Sequence, residues 1–175
     1  MTTSDLRYPI GRRIPKTEHT PATRTAALAI IVDTPAKLRA AVKGLSDSQL
    51  DTPYRPGGWT VRQLVHHVAD SHMNAYIRTR LALTEDNPPV KPYDEAKWAE
   101  LADKSLPIEP SLNIVDAVHL RWTTLLKAMA PEDFSRTMFH PEHGKISIDA
   151  LMEIYAWHGP HHTAHVTELR KREGF

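Results

Sequence analysis

Between Trp157 and Val166 the chain reads WHGPHHTAHV, which places His158, His161, His162 and His165 within eight positions of a protein that has eleven histidines in 175 residues. Neutral imidazole is a common ligand for divalent metals, and histidines at i and i+4 of a helix stand one above the other and can hold one ion from the same side. Both His158/His162 and His161/His165 have that spacing. Catalytic zinc sites usually take three protein ligands and leave a position open for water, so a third ligand is expected from another element. The other adjacent histidine pair lies in VHHVAD, residues 65–70. Helical geometry alone leaves both members open. His67 shares a face with Leu64, Asp70, Ser71 and Asn74, and His66 with Ala69, Met73 and Ile77; the polar company of His67 better suits a wet crevice. The isolated His19, His119 and His140 read as surface or hydrogen-bonded groups.

These residues need helices to carry them. Ser147 is an N-cap for a helix from Ile148 to about Arg172. Advancing it by about 100° per residue puts its four histidines in one arc of about 100°. Leu151, Ile154, Tyr155 and Leu169 lie in or beside that arc, whereas Glu153, Trp157 and Lys171 lie away from it. The histidines therefore occupy the core-facing side. Buried imidazoles need partners for their ring nitrogens, and a shared cation is one economical way to supply them. Pro160 lacks the N–H that would bond to the Ala156 carbonyl, so a kink or local unwinding is expected beside Gly159.

The remaining periodicities predict an all-α four-helix bundle with a long crossover and short connecting helices. Residues 1–20, broken by Pro9, Gly11 and Pro15, read as an extended N-terminal arm. Residues 21–175 read as a single four-helix-bundle metal-binding domain. The first helix spans residues 21–45, with Pro35 expected to kink or divide it. Thr60 and Gln63 form a capping box for a second helix that ends near Leu83, before NPPVKP. A short helix is expected in DEAKWAELAD, inside a crossover closed by Pro107 and Pro110. A third long helix follows, with Val115, Val118, Trp122, Leu125, Leu126 and Met129 at helical spacing. TMFHPEHGKISI reads as a loop.

Composition narrows the chemistry. The chain has no cysteine, so disulfides, thiolate ligands and a cysteine nucleophile are excluded and any metal is held by nitrogen and oxygen. A net charge of +1 with interspersed signs argues against nucleic acid as a partner. No apolar run approaches the roughly 20 residues that span a bilayer, and MTTSDLRYPIGRR lacks a signal-peptide core, so a cytoplasmic location is expected.

YPIG, DSQLDTPYRPGGWTVRQLVHHVADSHMNAYIR and the WHxxHHxAHxTELR ending resemble the DinB/YfiT family of metal-dependent hydrolases, its YfiT branch in particular, over nearly the whole chain. The resemblance implies a four-helix bundle, one zinc or nickel ion held by three histidines, and a homodimer in the cytoplasm. Carried over position by position, the ligands are His67, His158 and His162. The pair Gly159-Pro160 departs from the family pattern.

Three neutral imidazoles leave two or three coordination positions for water or substrate. The function expected is a hydrolase that activates water on a small-molecule substrate, with Asp70 and His165 as candidates for the general base or for orienting a ligand imidazole. The alternatives are transfer of a low-molecular-weight thiol at the same site, or a non-enzymatic metal-binding module.

Overall fold

The computed structural model describes residues 5–175. Four long helices make the bundle: α1 (Pro21–Val42), α3 (Val61–Thr84), α5 (Glu109–Lys127) and α6 (Ile148–Glu173). Between them lie two single-turn helices, α2 (Asp47–Leu50) and α4 (Glu95–Trp98), and a short hairpin, β1 (Thr137–His140) and β2 (Gly144–Ser147). Helix α1 packs on α5 and α6, and α3 packs on the same two, so α1 and α3 sit diagonally. No helix among the described residues is long and apolar enough to cross a membrane.

The helix starts follow local chemistry. Thr20, Ser46 and Thr60 each form a capping box with the residue three positions on, and the Ser147 hydroxyl accepts from the N–H of Ala150. At the far end of α1, Arg170 of α6 donates to the carbonyls of Ala41 and Lys43 at 2.8 and 2.9 Å. A cation therefore serves the carbonyl end of that helix dipole. Arg24 of α1 grips Asp149 of α6 through two bonds of 2.8 Å, and Arg39 of α1 bonds Asp116 and Glu109 of α5.

Two sequence expectations are narrowed and two revised. Helix α1 runs through Pro35 as one element, and α6 runs unbroken through Gly159-Pro160. The two helices are packed against each other there: a Cβ on Gly159 would lie 2.6 Å from Cγ2 of Thr34, so only a glycine lets the backbones approach this far. Pro110 sits in the first turn of α5, where its missing N–H costs nothing, rather than in the crossover. Residues 137–147 are a hairpin and not a loop, with Met138 paired to Ile146 and Gly144 at φ 71° closing the turn. Met138 is fully buried and Phe139 faces outward, an alternation too short to stand out beside Pro141 and Gly144.

The described part of the arm lies along α6. Glu153 accepts from Arg13 at 3.0 Å and from the Lys16 N–H at 3.1 Å, and Trp157 donates to the Gly11 carbonyl at 3.3 Å. These are the side chains expected to point away from the histidine face.

Candidate metal centre

His158 and His162 sit one turn apart on α6, and His67 faces them from α3. His158 Nε2 lies 3.3 Å from His67 Nε2 and 3.2 Å from His162 Nε2, and one ring nitrogen from each of the three falls within 4.8 Å of the others. Metal–imidazole bonds of about 2.0–2.1 Å place neighbouring ligand nitrogens roughly 2.9–3.4 Å apart, depending on the coordination angle. Both measured edges fall in that window. The three rings fit a divalent cation held through nitrogen.

Burial prepares the same nitrogens. It pulls His67 down to about 4 and pushes His158 and His162 well below the ordinary imidazole value, with the neighbouring imidazoles of the cluster acting in the same direction on the latter two. Charged imidazolium is disfavoured where water is excluded, so all three rings are neutral at pH 7 and offer lone pairs.

His66 is engaged elsewhere. Its Nδ1 lies 2.7 Å from the Ser111 hydroxyl and its Nε2 3.3 Å from the Leu106 carbonyl. Since the carbonyl can only accept, His66 donates through Nε2 and accepts from Ser111 through Nδ1. Both of its nitrogens are thereby used outside the cluster, and of the adjacent pair it is His67 that meets His158 and His162.

A cavity of about 300 Å³ opens beside His67, lined also by Asp70, Tyr93, Trp98, Leu106 and Ile114. Burial raises the Asp70 carboxyl to about 6, with Asp103 adding in the same direction. The Tyr93 hydroxyl is buried near Ser71, its ring 4.3 Å from that of Trp98, and burial raises its pKa. A larger cavity of about 440 Å³, between the arm, α1 and α6, contains none of the three converging histidines.

His165 is placed differently from Asp70. It lies one turn from His161, with the two Nε2 atoms 3.1 Å apart, and its ring packs on Tyr54 at 4.1 Å. It lines a smaller cleft with Leu6, Pro9, Glu168 and Arg172. A second group of potential ligands, His140, Glu142 and His143, occupies the β1–β2 turn, where Glu142 and His143 are exposed.

Three residues near the centre escape a reading by spacing. Tyr93 lies in the irregular crossover, where no periodicity indicates what it faces. His72 of α3 is fully buried and His119 of α5 nearly so. Their signal was a histidine interrupting an apolar stripe: Val65, Val68 and Ala75 around His72, and Val115, Trp122 and Leu126 around His119.

Comparison with known proteins places this geometry. The model of the DinB superfamily matches residues 30–166. A Bacillus cereus protein named, provisionally, as a metal-dependent hydrolase is 54% identical over 97% of this chain and 98% of its own length. A Bacillus thuringiensis protein with the same provisional name matches equally well. Among solved structures, YfiT from Bacillus subtilis, described as a probable metal-dependent hydrolase of unusual four-helix bundle topology, superposes with a TM-score of 0.94 at 45% identity, covering 97% of this chain and 98% of that one. TT2238, a four-helix bundle protein, shares the fold at a TM-score of 0.56 and 19% identity, covering 87% of this chain.

Proposed function

The chain belongs to the DinB superfamily, and from that premise we propose that it is a metal-dependent hydrolase acting on a small molecule, with His67, His158 and His162 holding one zinc or nickel ion. The observation that carries this reading is the convergence of three neutral Nε2 atoms next to a cavity that also contains a carboxyl. When bound, such a cation supplies Lewis acidity and makes water a usable nucleophile near neutral pH.

The protein's own groups supply the rest. Asp70, one turn from His67 and lining the same cavity, is the general base; above a pH of about 6 it is ionised and able to take a proton. A cation held at the histidines draws that value downward. Tyr93 and Trp98, their rings 4.3 Å apart, line the cavity as an aromatic wall. Trp98, Leu106 and Ile114 give the cavity an apolar wall that fits a small organic acyl group. His165 faces a separate cleft and is given no part in proton transfer.

The test uses untagged, zinc-loaded protein and a panel of p-nitrophenyl esters and anilides. Ester or anilide cleavage is expected, falling by at least about 100-fold in His67→Ala, since even partners of metal ligands are worth 10–100-fold. Asp70→Asn is expected to retain zinc, lower the rate, and remove a rise in rate whose midpoint lies at or below about pH 6. Equal rates for the wild type and His67→Ala overturn the proposal. So does consumption of a small thiol with monochlorobimane by the wild type but not by His67→Ala, with no cleavage of the panel.

A further inference from the structure

The imidazoles behind the metal centre are joined in a chain that has a direction. Pro35 lies inside α1 and carries no N–H, so the carbonyl of Ile31, four residues earlier, is released from the helical ladder. That oxygen lies 2.7 Å from His119 Nδ1. A carbonyl only accepts, so the hydrogen of His119 is on Nδ1 and, in the neutral ring, Nε2 is bare. His119 Nε2 lies 2.7 Å from His72 Nδ1, which is then the donor. His72 Nε2 is bare in turn, and it lies 3.1 Å from His158 Nδ1. The hydrogen of His158 is thereby drawn to Nδ1, and its other nitrogen is the one 3.2–3.3 Å from His162 and His67.

We infer that the Ile31 carbonyl freed by Pro35, acting through His119 and His72, locks His158 in the Nδ1–H form and keeps its Nε2 lone pair directed at the point where His67 and His162 converge. His72 and His119 are positioning residues for the metal centre. The inference rests on the reading of His67, His158 and His162 as ligands, and it adds what selects the tautomer of one of them. An unconstrained imidazole in water favours hydrogen on Nε2, which would turn an N–H toward the cation. The relay opposes that preference in a buried place, where His72 is fully covered and His119 is 2% exposed. Each N–H···N bond polarises the next, so the last ring is also the more basic ligand. The arrangement spans all four long helices. Helix α1 supplies the anchor, α5 and α3 supply the links, and α6 presents the ligand.

Two measurements on the full-length chain test it. The first is the long-range ¹H–¹⁵N spectrum of the histidine rings in metal-free wild type, with His119, His72 and His158 expected to show hydrogen on Nδ1. Hydrogen on Nε2 of His72 or His158 overturns the inference. The second is zinc affinity by competition with a chromogenic chelator. His119→Phe keeps the ring volume without the nitrogens and is expected to bind zinc about 10–100-fold more weakly. His119→Gln, whose amide both donates and accepts, is expected to recover most of the loss. Equal affinity of His119→Phe and wild type overturns the relay. If His119→Phe does not fold, the wild-type spectrum carries the test alone. His67→Ala tests the metal reading separately: Nδ1–H rings in the wild type, together with undiminished zinc binding by His67→Ala, remove the ligand assignment and leave the tautomer lock standing.

Discussion

The histidine cluster has two halves built from the same side chain and held in opposite ways. In the inner half, His158, His72 and His119 pass hydrogen bonds to the Ile31 carbonyl, and both nitrogens of His72 and His119 are accounted for. In the outer half, His162 Nδ1 and His161 Nδ1 are buried with no hydrogen-bond partner among the described residues. His165 Nε2 lies 3.1 Å from His161 Nε2, the rings edge to face, with Trp157 stacked on His161 and Tyr54 tilted against His165. One half is organised by hydrogen bonds and the other by ring packing. Abundance of histidine therefore says little about a metal centre, and what stands behind each ring decides which nitrogen it can offer.

Acid is expected to break both halves together, since burial also lowers His72, His119 and His158 in the inner half, and its effect is the largest. Burial holds His67 and His161 at about 4 and His165 at about 3, against 6.5 in an open chain. Between those limits the unfolded protein binds more protons than the folded one, so stability is full above about pH 6.5 and lost as pH falls toward 4. Each such group contributes up to about 1.4 kcal/mol per pH unit in that window. Thermal melts of metal-free protein should show Tm falling steeply from pH 7 to pH 4.5. A flat profile would mean that the rings are not buried as neutral groups. Saturating zinc should hold Tm up until the ligands protonate.

Substitution separates the halves. His158→Ala removes a ring and also strands His72 Nε2, and an unpaired buried acceptor costs about 1–3 kcal/mol beyond the lost packing. His162→Ala deletes a ring whose Nδ1 was already unpartnered. Both variants should lose zinc, but metal-free His158→Ala should melt lower than His162→Ala by roughly 2–10 °C. Equal melting temperatures would erase the distinction drawn here.

The smallest effect is the most specific. Pro35→Ala restores an N–H that competes with His119 for the Ile31 carbonyl, without touching any imidazole. Zinc affinity should fall only a few-fold, since that oxygen has a second lone pair, while the His119 Nδ1–H resonance shifts as its bond lengthens. An unchanged resonance would show that the proline does not set the anchor.

Much of this centre was readable before any coordinates. The arc of α6 follows from counting, and His67 was favoured over His66 by its polar neighbours. Of the alternatives offered at the two prolines, division of α1 and unwinding of α6 do not occur, because a residue-level rule for proline ignores what the opposing helix contributes at Thr34 and Gly159. His119 was read as a surface or hydrogen-bonded group; it is buried and hydrogen-bonded, and spacing along one helix cannot reveal that its partners come from two others. The hairpin was hidden for a related reason: four-residue strands carry too little alternation to separate from a turn.

The close approach of α1 and α6 at Thr34 and Gly159 has a further consequence. Ile31 lies one turn before Thr34, so the gap between these two backbones also fixes how far the anchoring oxygen stands from the ring it receives. A single methyl at position 159 would act as a shim between α1 and α6, slackening a tether that returns to α6 at His158, the residue next to it. The tolerance of the metal centre is in this sense machined where a glycine meets a threonine whose hydroxyl is turned back on its own helix.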